Sequence, residues 1–74
     1  MGQERDVLLR FGETLRERRL ALGLSQEEFA DRCGLDRTYI SGIERGRRNV
    51  GLRNLHLIAT ALDLTVSQFL EGVE

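Results

Sequence analysis

Residues 26–45 read QEEFADRCGLDRTYISGIER, and this stretch decides the fold. Apolar residues recur at helical spacing on either side of a glycine: Phe29, Ala30 and Cys33 before Gly34, Ile40 and Ile43 after it. That pattern predicts two short helices meeting at a sharp turn. Gly34 permits the positive backbone angle so tight a turn needs. Ala30 is small where the second helix must cross close over the first, and Asp36 is placed to cap a helix running from Arg37 to about Arg45. With Phe29, Cys33, Leu35, Ile40 and Ile43 turned inward, the residues expected to face outward are Arg37, Thr38, Ser41, Gly42 and Arg45.

Three further helices are legible around this centre. The first spans roughly Asp6 to Leu22, with Leu8, Phe11, Leu15 and Leu22 on its inner stripe and Gly23 ending it. Ser25 with Glu28 forms a capping box that opens the second helix, in which side chain and backbone satisfy each other's orphan groups. Beyond a polar loop from Gly46 to Gly51, Leu52, Leu55, Ile58, Ala59 and Leu62 mark a fourth helix. Thr65 with Gln68 opens a short fifth containing Val66, Phe69 and Leu70, closed by Gly72. No window alternates with the period of a half-buried strand. The expected fold class is therefore all-α, with five helices.

The 74 residues read as a single domain over 1–74, small enough that its own core supplies only marginal stability. One cysteine excludes an internal disulfide, and one Cys with one His cannot assemble a recognisable zinc site, so no metal or cofactor is expected. Self-association is then the expected source of added stability. The first ten residues, MGQERDVLLR, lack the apolar run of a signal peptide, and no stretch approaches the roughly 18 apolar residues of a membrane span. A cytoplasmic location without membrane attachment is the expectation.

The formal net charge of -1 argues on its face against a nucleic-acid partner, but the distribution reverses that reading. All eleven basic residues are arginine. Between positions 36 and 53 stand Arg37, Arg45, Arg47, Arg48 and Arg53 against Asp36 and Glu44, a net +3, whereas residues 54–74 carry three acids and no arginine. Arginine presents a planar fork that fits phosphate oxygens and guanine edges. The bland alternative is a solvated charged surface. A helix with a polar and basic outer face is what the DNA major groove accepts, and its first turn enters deepest. Arg37 and Thr38 are then the expected base readers, with Ser41 a third and Tyr39 in support. Gln26 at the amino end of the second helix, with Arg45, Arg47, Arg48 and Asn49 around the loop, would grip phosphate.

Other residue types give no chemistry. His56 is lone on an amphipathic helix with no nucleophile near it in sequence, and Cys33 reads as a buried structural thiol rather than a redox sensor. Tyr39 could equally pack against the domain or reach a phosphate. Without a phosphate loop, paired carboxylates or nucleophile elbow, enzymatic activity is not expected. Glu44, an acid on the inner side of a basic helix, calls for a partner, and Arg19 on the first helix can supply it. Val66, Phe69, Leu70 and Val73, with Leu57, form more apolar surface than a monomer's last segment should show, which predicts a two-fold dimer through that patch.

LGLSQEEFA, CGLDRTYISGIERG and LRNLHLIATALDL, in that order and spacing, resemble the phage-repressor (XRE-like) helix-turn-helix family over essentially the whole chain. RTYISGIERGRRNVGLRNL resembles especially the controller proteins of restriction-modification systems. The resemblance implies a lambda-repressor-like bundle with the helix-turn-helix at helices two and three, and an Arg19–Glu44 tie between helix one and the recognition helix. It implies a homodimer on double-stranded palindromic operators that activates, then represses, its own gene and the endonuclease gene, with RNA polymerase a partner in activation. A phage-type or stand-alone repressor is the alternative, and an antitoxin or protein-interaction module of the same fold a more distant one. Two positions depart from the family pattern: Gly42 stands where many relatives carry a long polar reader, and Gly51 where relatives often have a serine cap.

Overall fold

The computed structural model describes residues 3–74, with side chains from residue 6 onward. Five helices follow in order: α1 (Gln3–Ala21), α2 (Gln26–Cys33), α3 (Arg37–Glu44), α4 (Leu52–Ala61) and α5 (Val66–Glu71), with no strand among the described residues. None of these helices is long and apolar enough to cross a membrane.

Local chemistry sets the boundaries. Both capping boxes form: Glu28 N donates to Ser25 Oγ at 3.0 Å while Ser25 N donates to Glu28 Oε1 at 2.8 Å, and Thr65 and Gln68 repeat the exchange at 3.0 and 2.9 Å. Asp36 caps α3 through Thr38 N at 2.9 Å. The backbone turns at Gly23 (φ 73°), Gly34 (φ 75°) and Gly46 (φ 74°) are left-handed, as the ends of α1, α2 and α3 require. α4 ends differently: Asp63, not a glycine, takes φ 62°. Gly51 supplies no side-chain cap to α4.

One core forms from all five helices. Leu15, Phe29, Ile40, Ile43, Ile58 and Phe69 are its largest fully buried side chains, and Phe11 meets Phe69 edge-on with ring centroids 4.9 Å apart. Two parts of the expected core shift. α1 stops at Ala21, and the amides of Gly23 and Leu24 fold back to the Leu20 and Arg19 carbonyls at 2.9 and 3.2 Å. Leu22 therefore falls in the turn, 43% exposed, and half-buried Leu24 packs against the core.

The second shift corrects the expected apolar patch at the C-terminal end. Phe69 is fully buried and Val73 only 4% exposed, so neither is available as surface. Phe69 on α5 and Val73 just beyond it cover the domain's own core, and side chains of α1 hold the segment down. Thr14 Oγ1 donates to the Gly72 carbonyl at 3.0 Å and Arg10 Nε to the Val73 carbonyl at 2.9 Å. On α4 and α5 the large apolar side chains left exposed are Leu70, at 38%, and Leu52, at 77%, with Leu57 and Val66 half-buried.

α1 crosses the last turn of α3 backbone to backbone at Gly12. A Cβ there would overlap the Ile43 carbonyl oxygen and stand 2.8 Å from that of Glu44, and neither can swing aside as a side chain could. Helix propensity alone favours alanine over glycine in mid-helix by up to about 1 kcal/mol. Gly12→Ala should nonetheless destabilise the domain by about 1–3 kcal/mol, the usual penalty of overpacking. Urea unfolding tests this, and a midpoint equal to or above the parent's would show that the crossing is looser than described.

Candidate nucleic-acid interface

α3 is held at its C-terminal end by a clamp drawn from three elements. Arg19, in the last turn of α1, donates from Nε to Glu44 Oε2 at 2.7 Å and from Nη2 to Glu44 Oε1 at 3.0 Å. Its Nη1 donates to the Leu24 carbonyl at 2.7 Å. Gln26 Nε2, at the start of α2, donates to the same Glu44 Oε1 at 3.0 Å. The paired side chains are only 7% and 3% exposed. The hydrogen bond to Glu44 raises the Arg19 guanidinium above its already high pKa, which keeps it charged. Gln26, expected to stand free for phosphate, thus spends one amide hydrogen internally and keeps the second.

With the clamp behind it, α3 presents its other side to solvent. Arg37, Thr38 and Arg45 are exposed and Ser41 half-buried; in the loop that follows, Arg47, Arg48 and Asn49 are exposed, as is Arg53 in the first turn of α4. Because Glu44 is neutralised inward, the acid left among these arginines is the helix cap Asp36. Two hydrogen bonds from Thr38, backbone first, hold the Asp36 carboxyl below its usual range, so it stays ionised at neutral pH. Thr38 Oγ1 donates to Asp36 Oδ1 at 2.9 Å, which leaves its lone pairs and methyl group for any partner outside.

Gly42 does not face outward as expected but is buried, and the three atoms nearest a Cβ built on it belong to Arg48, which returns along α3 from the loop. The Arg48 guanidinium carbon lies 5.4 Å from the centroid of the Tyr39 ring. Tyr39, half-buried against the core, accepts a hydrogen bond on its hydroxyl from Asn54 Nδ2 at 3.1 Å. Its own hydroxyl proton is not used in that bond. Both alternatives open for Tyr39 on the sequence are therefore compatible: the ring packs while the hydroxyl keeps a donor.

Sequence reading missed Gly12 and Asn54. A glycine inside a long helical pattern was a signal for the first, whereas the second is one polar residue among many on α4. The remaining candidates offer no chemistry. Cys33 is 7% exposed and burial pushes its thiol up to about 11, so it is protonated and unreactive at neutral pH. His56 is exposed on the rim of an open cleft between α2 and α4 lined also by Arg32, Cys33, Thr60 and Asp63.

The fold agrees with that of known proteins. The helix-turn-helix family model matches residues 15–69, and the chain belongs to that family. Within it, the chain is 46% identical over 70 residues to control protein C.MunI of Mycoplasma sp., covering 93% of this chain and 95% of that protein. The crystal structure of the restriction-modification controller protein C.AhdI from Aeromonas hydrophila superposes with a TM-score of 0.81 at 53% identity, covering 84% of this chain and 94% of that one. The controller protein C.Esp1396I, solved as a tetramer in complex with its natural 35 base-pair operator, superposes with a TM-score of 0.83 at 39% identity, covering 90% and 88%.

Removing one member of a buried ion pair strands the other. Arg19→Ala leaves the Glu44 carboxylate inside with only the Gln26 amide, and should cost about 3 kcal/mol of stability. Thermal melts of Arg19→Ala that superimpose on the parent would show that the pair ties nothing together.

Proposed function

We propose that this protein is the controller protein of a restriction-modification system, a sequence-specific transcriptional regulator that binds a palindromic operator as a homodimer in the cytoplasm. The observation that carries the reading is α3 itself, a helix clamped from behind whose exposed face and following loop hold four arginines against one ionised cap, with Arg53 of α4 beside them in sequence. The 39% identity to a protein solved on its own operator supports DNA as the ligand. In this reading the chain activates at one occupancy and represses at a higher one, acting on its own gene and the endonuclease gene. Its partners are double-stranded DNA, a second copy of the chain and, for activation, RNA polymerase.

Arg37 and Thr38 read base edges from the first turn of α3, with Ser41 third and Tyr39 in support. Arg37 forks onto the two acceptors of a guanine, and Thr38, its proton held by Asp36, accepts from an exocyclic amino group or sets its methyl against thymine. Arg45, Arg47, Arg48, Asn49 and the second amide hydrogen of Gln26 take phosphates. The dimer holds two copies of α3 about 34 Å apart, one DNA turn. Its contact draws on Leu70, Leu57 and Val66, joined by the strongly exposed Leu52.

Selection from a random DNA pool should enrich a two-fold symmetric site, and a pool that enriches nothing would sink the reading. On the enriched site Arg37→Ala should lose about 1–3 kcal/mol and relax one base pair in each half-site, with little effect on random DNA. Arg47→Ala should instead weaken both DNAs alike and lower the salt slope by about one unit. An intact base preference in Arg37→Ala would move that residue to the phosphate group. Sedimentation of the free protein should show a dimer in the micromolar range; a monomer throughout would remove the symmetric contact.

A further inference from the structure

Gly42 lies inside an eight-residue helix, where glycine weakens the helix relative to alanine. Its reason differs from that of Gly12. The atoms nearest a Cβ built on Gly42 are neither backbone nor core: they are Cγ, Nε and Cδ of Arg48, at 3.0, 3.6 and 3.7 Å. The same arginine ends over the Tyr39 ring, at 5.4 Å, and that ring is in turn tethered by the Asn54 amide at 3.1 Å. Three residues from α3 and α4 thus form a seat for one side chain of the intervening loop.

We propose that Gly42 is a positioning residue for DNA binding: by having no side chain it leaves open the place where Arg48 lies back along α3, cation over Tyr39, before any DNA arrives. The inference rests on the DNA-binding reading and adds to it a cause for glycine at this position. A free arginine on an exposed loop samples many rotamers and loses that freedom when a phosphate fixes it. Here the stem is already packed against Gly42 and the guanidinium already stacked, so less freedom remains to lose. A methyl group at residue 42 presses on Arg48 Cγ, and a larger group evicts the stem altogether.

The test measures affinity for the site enriched from a random pool, using the full chain and Gly42→Ala, Gly42→Leu, Arg48→Ala and the double variant Gly42→Leu with Arg48→Ala. Gly42→Ala should bind about two- to tenfold more weakly, the range expected for immobilising one flexible side chain. Gly42→Leu should approach the loss seen in Arg48→Ala, and the double variant should bind no more weakly than Arg48→Ala alone. Both residue-42 replacements are better helix formers than glycine, so melting temperatures should hold or rise while binding falls. Nuclear Overhauser contacts between the Tyr39 ring protons and the Arg48 methylenes should be present in the parent and absent in Gly42→Leu. Full affinity in both Gly42 variants, a loss that adds to that of Arg48→Ala, or no such contacts in the parent would each overturn the proposal. Failure of the DNA reading is distinct, since the parent itself would then enrich no sequence.

Discussion

The Arg19–Glu44 pair is the constraint on which the arrangement depends. α3 has eight residues, too few to be helical alone, and its position comes from what grips it. Arg19 spends three donors on two partners, and Glu44 takes bonds from α1 and α2 at once. The end of α1, the turn after it, the start of α2 and the end of α3 are thereby fixed to one another. Burying two charges is costly, and a buried ion pair is weak evidence for net stability. What this one supplies is geometry. Gly12 works alongside it: without a side chain there, α1 passes in backbone contact with the carbonyls of Ile43 and Glu44.

The same pair alters the electrostatics of the opposite face. Counted along the sequence, Glu44 offsets one arginine of the basic segment, but in space its charge is answered by Arg19 on the interior side. The outward surface is then more positive than the linear count allows. A chain of net charge -1 can in this way present a cationic face, provided its acids are internal, capping, or carried on other elements, here α1, α2 and the segment beyond α4.

Local signals in the sequence proved sufficient where the governing interactions are local. The Ser25–Glu28 and Thr65–Gln68 boxes, the Asp36 cap and the left-handed Gly23 and Gly34 each involve groups a few residues apart, and each appears as the residue types imply. The readings that shifted concern depth. Apolar spacing marked an apolar stripe at the C-terminal end but could not say whether Phe69 and Val73 would meet a second molecule or the core of their own chain. Gly42 was assigned outward from its place on the helical wheel, which takes no account of a side chain arriving from six residues away. The candidate arginines at the surface were legible because few of them have any internal alternative, whereas Asn54 and Gly12 acquire roles only through helices distant in sequence.

The seam between α1 and α5 has a kinetic side. Thr14 and Arg10 close onto carbonyls 58 and 63 residues away, and Phe11 stacks edge-on against Phe69. Closing so long a loop costs entropy before any contact repays it, while the turn between α2 and α3 closes over a handful of residues. The helix pair that carries the basic face can therefore close ahead of that seam, but the core it rests on stays open until α5 docks against α1. Ordering of the whole domain then waits on that one long-range closure between α1 and α5.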